Sequence, residues 1–202
     1  RDRKSLAETV HSAAILSAIV GILFLLFGVF FAWPVLRLLH TKPELIAGAA
    51  LYLRIYFLGM PAMAIYNFGY AVFSAVGDTK RPLLYLSVAG ALNVTLNLFF
   101  VIVCGMDVAG VALATVVSQG VAATLVMMAL IRRNDSCKLC LKKMRFYKEP
   151  LLNIIKIGLP AGLQTSLLSI ANLTTSIGLN SFDSADILSG NLKPGEKLPS
   201  KR

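Results

Sequence analysis

Two stretches of this sequence place amide and hydroxyl side chains on single helical faces inside apolar segments. Asn93 and Asn97 are four residues apart, close to one helical turn. Farther along, Thr115, Ser118 and Gln119 stand in an i, i+3, i+4 relation. Oxygen atoms clustered in this way at membrane depth can coordinate a cation or relay a proton. They can equally hold two helices together by hydrogen bonds, and the spacing leaves both interpretations open.

Arrangements typical of enzymes are missing from the same segments. The apolar segments contain no Ser/His/Asp, Cys/His or paired-carboxylate pattern. Cys137 and Cys140 form a single C-x-x-C, which lacks the second pair of ligands that a tetrahedral zinc site needs. His11 and His40 lie at opposite ends of one segment and are predicted to be interfacial residues. We therefore predict no enzyme activity, no metal site and no cofactor.

The elements that must position the polar side chains are long and apolar. The chain is 56% hydrophobic and only 15% charged, whereas soluble domains have about 25% charged residues. A helix needs about 20 residues to cross the hydrocarbon core of a bilayer. Five segments reach this length: 13–36, 45–76, 83–104, 108–131 and 151–182. The sequence predicts an all-α, polytopic bundle of about five transmembrane helices in a lipid bilayer.

The basic residues are distributed asymmetrically between the loops. One side carries twelve of them: Arg1, Arg3, Lys4, Lys80, Arg81, Arg132, Arg133, Lys138, Lys142, Lys143, Arg145 and Lys148. The other side carries Arg37 and Lys42. Basic loops stay in the cytoplasm, so the N-terminus, 77–82 and 132–149 are predicted to be cytoplasmic and the chain to lie in the plasma membrane, in bacteria the inner membrane. This topology accounts for the net charge of +10, and no nucleic-acid partner is predicted.

Helix-breaking residues interrupt two of the apolar segments. Gly59 and Pro61 break the second segment, and Pro160 breaks the fifth near its start. Such breaks serve as hinges in transporters, and they also occur as static kinks that aid packing. The sequence leaves these two possibilities open.

Several motifs resemble those of one transporter family. SAVGDTKRPL at 74–83, NVTLN at 93–97 and VAGVALATVVSQ at 108–119 follow one another in the order found in multidrug and toxic compound extrusion (MATE) transporters. YLRIYFLGMP at 52–61 and IGLPAGLQTSLLSIAN at 157–172 are also similar to that family. The resemblance covers about 2–182.

The resemblance implies twelve helices in two six-helix bundles around a central cleft. On that scheme, 1–131 supplies the last four helices of the first bundle, 132–149 is a basic cytoplasmic loop and 150–182 is the first helix of the second bundle. The segment 183–202 is predicted to be a disordered polar tail. The chain is then expected to be a fragment, covering roughly helices three to seven.

The family exports cationic, amphipathic drugs in exchange for Na⁺ or H⁺. The resemblance implies a cation-binding or coupling role for Asn93, Asn97 and Thr115, although Asn97 stands where one branch of the family has Asp. Asn67, Gln119 and Gln164 are expected to line the cleft. The alternatives are a flippase of lipid-linked saccharides with a related fold, and a non-transporting truncated remnant.

Overall fold

The computed structural model describes residues 2–38, 43–133, 135, 137–140 and 145–181. The predicted tail 183–202 lies outside the described residues. The chain divides into two units, Arg1–Leu152 and Asn153–Arg202, and each is described by itself.

All regular structure in the described part of the chain is helical, which confirms the predicted fold class. The helices are α1 (Asp2–Leu38), α2 (Pro43–Leu58), α3 (Met60–Ala75), α4 (Lys80–Leu98), α5 (Val108–Ile131) and α6 (Lys148–Ser181). A π-helical turn, Phe99–Val103, continues α4. Four of these elements are long and apolar enough to cross a membrane, and α2 and α3 together have the length and hydropathy of a fifth, bent span.

Helix α5 is the centre of the first unit and packs against α2, α3 and α4, while α1 packs against α2 and α3. Its buried residues are mostly small: Gly110, Ala112, Ala114, Ser118, Ala122 and Ala123, together with Val126 and Leu130. Small residues let helix backbones approach closely. In a bilayer the hydrophobic effect does not drive helices together, so close van der Waals packing of this kind stabilises their association.

Glycines on α1 and α3 make three of the closest approaches. A Cβ added to Gly21 would lie 2.7 Å from the Cα of Pro61, at the crossing of α1 and α3. A Cβ on Gly28 would overlap the ring of Phe57, and one on Gly69 would overlap Val126. These contacts fix the spacing of the helices, because a real Cβ does not come closer than about 3.0 Å.

Large apolar side chains cover the outside of this unit. Phe30 on α1 is 71% exposed, and Ile102 in the π-helical turn is 72% exposed. A soluble monomer rarely shows contiguous apolar surface of this kind, whereas lipid tails accept it. The exposure therefore agrees with the predicted membrane spans.

The predicted break in the second segment is confirmed in position. Helix α2 ends at Leu58, α3 begins at Met60, and their axes differ by 43°. Gly59 is buried at the corner, where a Cβ would lie 3.1 Å from Val116 Cγ2. Helix α6 differs, because it continues without interruption through Pro160. The predicted break there is wrong as far as helix continuity is concerned, and a hinge role for Pro160 stays a prediction.

The loop after α5 is held against α1 by bonds that sequence patterns did not reveal. The backbone N–H of Cys140 donates to Nε2 of His11 at 3.1 Å, and the N–H of Tyr147 donates to Oγ of Ser12 at 3.2 Å. His11 is buried, so the interpretation of this residue as merely interfacial missed its structural role. Leu139 is also buried, and its N–H donates to the carbonyl of Leu130 at 3.2 Å.

Candidate functional site

The two predicted polar faces meet between α4 and α5. Nδ2 of Asn93 donates to Oγ of Ser118 at 3.2 Å and to Oγ1 of Thr115 at 3.4 Å. Nδ2 of Asn97 donates to Oδ1 of Asn93 at 3.0 Å. Asn93, Asn97, Thr115 and Ser118 therefore form one hydrogen-bonded group, which we call the polar cluster.

The direction of these bonds follows from the hydroxyl groups. Thr115 donates its hydroxyl hydrogen to the carbonyl of Val111, and Ser118 donates its own to the carbonyl of Thr115, both at 3.0 Å. Each hydroxyl has then used its single hydrogen, so in its bond with Asn93 it acts as the acceptor. The amide nitrogen of Asn93 must face α5, and its oxygen is left to accept from Asn97.

Two carbonyl-type oxygens remain without a partner after this assignment. Among the described residues, Oδ1 of Asn97 and Oε1 of Gln119 are buried and receive no hydrogen bond. A buried unpaired acceptor costs about 1–3 kcal/mol, and residues that act only as packing contacts are expected to be satisfied. Oδ1 of Asn97, in the polar cluster, and Oε1 of Gln119, outside it, are therefore free to accept a further ligand.

A small cavity connects this region to the bend between α2 and α3. Its volume is about 10 Å³, about the space that one water molecule needs. It is lined by Tyr56, Gly59, Met60, Met63, Thr115, Val116 and Gln119. The corner of the bent span and the polar residues of α5 thus share one space, so that a change in the bend would alter the surroundings of Thr115 and Gln119.

The π-helical turn Phe99–Val103 begins two residues after Asn97. The N–H of Cys104 donates to the carbonyl of Phe99 at 3.1 Å, and the N–H of Met106 donates to that of Phe100 at 2.9 Å. π-helical turns are rare and occur often at functional sites. No pattern of apolar residues distinguishes FFVIV from an ordinary helical turn, which is why the sequence did not predict it.

The other predicted site residues lie elsewhere. Asn67 is exposed on α3, and no described hydrogen bond joins it to the polar cluster. Gln164 lies on α6, in the other unit. Their expected place in a cleft stays a prediction.

The chemistry of the polar cluster is that of neutral oxygen ligands. Its members are amides and hydroxyls, and the described residues contain no group of three or more His, Cys, Asp or Glu side chains that could hold a metal ion. Carbonyl and amide oxygens suit hard cations. A titratable group, which a proton relay needs, is not among the members of the polar cluster.

Comparisons with known proteins agree with the fold. The family model MatE matches residues 1–99. The chain is 33% identical to the probable multidrug resistance protein YpnP of Bacillus subtilis over 181 residues, covering 90% of this chain and 40% of that protein. It is 25% identical to the multidrug export protein MepA of Staphylococcus saprophyticus over 171 residues, covering 85% of this chain and 38% of that protein.

A solved structure shares the fold. It is the inward-facing conformation of a multidrug resistance MATE family transporter, with a TM-score of 0.71 and 23% identity. The match covers 84% of this chain and 44% of that structure. The chain thus spans about 40% of the length of the curated relatives that it matches.

Proposed function

Because this chain belongs to the multidrug and toxic compound extrusion family, we propose that it is part of a secondary active antiporter that exports cationic, amphipathic drugs. Family members are membrane transporters, and the relatives named above are multidrug resistance or export proteins. The proposed organisation follows the family: 1–131 as four helices of the first bundle, 132–149 as a cytoplasmic loop and 150–182 as the first helix of the second bundle.

The coupling ion in this proposal is Na⁺, bound by the polar cluster. The observation that carries it is the buried, unpaired Oδ1 of Asn97 beside the satisfied amide of Asn93. Na⁺ takes oxygen ligands and needs no titratable group, whereas H⁺ coupling at this position would require one. Gln119, and Thr115 through the second lone pair of its hydroxyl oxygen, would complete the ligand set from α5. Movement at the Gly59–Pro61 corner would change the space next to them.

Efflux measurements test the coupling ion. The gene product carrying this sequence, expressed in a strain lacking drug pumps, should expel ethidium several-fold faster in medium containing Na⁺ than in medium with choline at equal concentration, because Na⁺ entry drives the exchange. Membrane insertion is confirmed by immunodetection. Equal efflux in the two media that stops with a protonophore would contradict Na⁺ coupling, and ethidium retention equal to that of the vector control would contradict the proposal of transport.

Thiol labelling tests the proposed orientation. Cys104 is exposed at the end of the span Lys80–Val103, and with 77–82 in the cytoplasm it should react with an impermeant maleimide in intact cells. Cys140 should react only after permeabilisation. Cys137 should react slowest, because it is buried and its burial raises the pKa of the thiol. Labelling of a Cys104→Ser variant in intact cells would overturn this orientation.

A further inference from the structure

A second cavity lies at the opposite end of the α4–α5 pair, where α4 begins and α5 ends. Its volume is about 270 Å³. Three arginines, Arg81, Arg132 and Arg133, line one part of it. Tyr85, Leu125, Met128 and Ala129 line the rest. We call this space the arginine pocket; it shares no lining residue with the polar cluster.

The charged side chains in and beside the pocket have a net positive charge. Two carboxylates lie beside it: Asp78 pairs with Arg81 at 3.3 Å, and Asp135 pairs with Arg133. No carboxylate among the described residues pairs with Arg132. The pocket therefore keeps an excess positive charge that an anion can neutralise.

Arg133 is held in a fixed orientation. Its guanidinium lies over the ring of Phe73, with 5.1 Å from Cζ to the ring centroid. Its Nε donates to both oxygens of Asp135, at 3.0 and 2.8 Å. The hydrogen bond from Arg133 lowers the pKa of Asp135, so this carboxylate stays ionised at neutral pH and the contact persists.

One donor of this oriented guanidinium is left over. Nη1 of Arg133 is buried and has no acceptor among the residues that the structure describes. The side chain is only 14% exposed. A buried guanidinium nitrogen without an acceptor is unfavourable, and arginine donors match the oxygens of phosphate. The geometry points to a phosphate-bearing anion as the missing acceptor.

The position of the pocket identifies the source of the phosphate. The spans Lys80–Val103 and Val108–Ile131 end here, so the arginines lie at the level of lipid headgroups. The apolar wall continues toward the membrane interior, with Met128 40% exposed on α5 and Val88, one turn beyond Tyr85, exposed on α4. A free phosphate would leave that wall without a contact, whereas acyl chains would cover it.

We propose that the arginine pocket binds the headgroup of an acidic phospholipid in the leaflet that the charge pattern makes cytoplasmic. The phosphate accepts hydrogen bonds from Arg133 and Arg132, and its acyl chains lie along the exposed apolar side chains of α4 and α5. Basic pockets between transmembrane helices are typical sites for acidic headgroups. This lipid would brace the start of α4 against the end of α5.

Native mass spectrometry of the purified chain with phosphatidylglycerol or phosphatidylcholine tests the proposal. The chain should retain phosphatidylglycerol in preference, and the double variant Arg132→Gln/Arg133→Gln should bind it at least tenfold more weakly, since one charge-assisted hydrogen bond is worth about a factor of ten. The matched control, Lys138→Gln/Arg145→Gln, removes the same charge from exposed positions of the same loop and should bind normally.

Other results of the same experiment would contradict the proposed lipid site. Equal loss in both double variants would show a diffuse charge effect and overturn the proposed pocket, as would equal binding of the two lipids. Displacement of phosphatidylglycerol by millimolar inorganic phosphate would assign the site to free phosphate instead. If the double variant does not fold, Arg132→Gln replaces it, because Arg132 is exposed and pairs with no carboxylate among the described residues; an unchanged lipid preference in Arg132→Gln would then count against the pocket.

Discussion

Replacing Asn97 with alanine is expected to abolish ethidium efflux while the protein still accumulates in the membrane. The substitution removes the unpaired Oδ1 that we assign to the cation, and it leaves both bonds from Asn93 to α5 in place. The structural loss is a single hydrogen bond to Asn93, worth about 0.6 kcal/mol between membrane helices. Efflux and the thermal denaturation midpoint are measured on the same preparations.

Two further substitutions on α4 separate ligand binding from packing. Thr95→Ala is the matched control, because Thr95 is exposed and its hydroxyl bonds only to the carbonyl of Ala91 in its own helix; it should transport normally. Asn97→Asp should retain efflux but make it dependent on pH, since it places a titratable acid inside the bundle. Normal efflux by Asn97→Ala would show that the polar cluster is only a packing contact.

Replacing Gly21 with valine is expected to destabilise the first unit by about 3 kcal/mol, the upper end of the cost of overpacking. The added Cβ would meet the backbone of Pro61 at 2.7 Å and the Cβ of Ala64 at 3.1 Å. Backbone atoms cannot move aside as a side chain can, so α1 and α3 must separate along their crossing. The thermal midpoint of the purified chain and its level in the membrane measure this.

Gly48→Val provides the comparison for the same substitution. Gly48 lies on α2, and nothing lies within 4 Å of a Cβ at this position. Its stability should change by no more than about 0.5 kcal/mol. A Gly21→Val protein as stable as Gly48→Val would mean that the crossing of α1 and α3 is looser than the structure has it.

Hydropathy and charge were sufficient to predict the spans. A transmembrane helix needs about 20 apolar residues whichever helices it packs against. Segments such as 83–104 and 108–131 can therefore be recognised from their length and hydropathy alone. The bend at Gly59–Pro61 was also readable, because glycine and proline act on the local backbone. Helical spacing also predicted that Asn93 shares a face with Asn97, and Thr115 one with Ser118 and Gln119.

Features that depend on three-dimensional contacts or on the detailed path of the backbone could not be predicted from the sequence. Which amide oxygen stays unpaired depends on where the hydroxyl hydrogens of Thr115 and Ser118 go, and that is fixed by the geometry of α5. The π-helical turn changes which carbonyl accepts, without any change in residue type. Continuity of α6 through Pro160 likewise shows that the missing N–H of proline need not end a helix.

The hydrogen bonds of His11 and Ser12 to the loop after α5 can form only late in the synthesis of the chain. Their partners, the N–H groups of Cys140 and Tyr147, come 129 and 135 residues later in the chain. At a translation rate of 5–20 residues per second, these delays are roughly 6 to 27 s. Helices α1, α2 and α3 are therefore synthesised before Nε2 of His11 and Oγ of Ser12 can receive these hydrogen bonds. The loop after α5 makes these contacts last. A ribosome that stalls before Cys140 would therefore leave α1 without its hydrogen bonds to the loop.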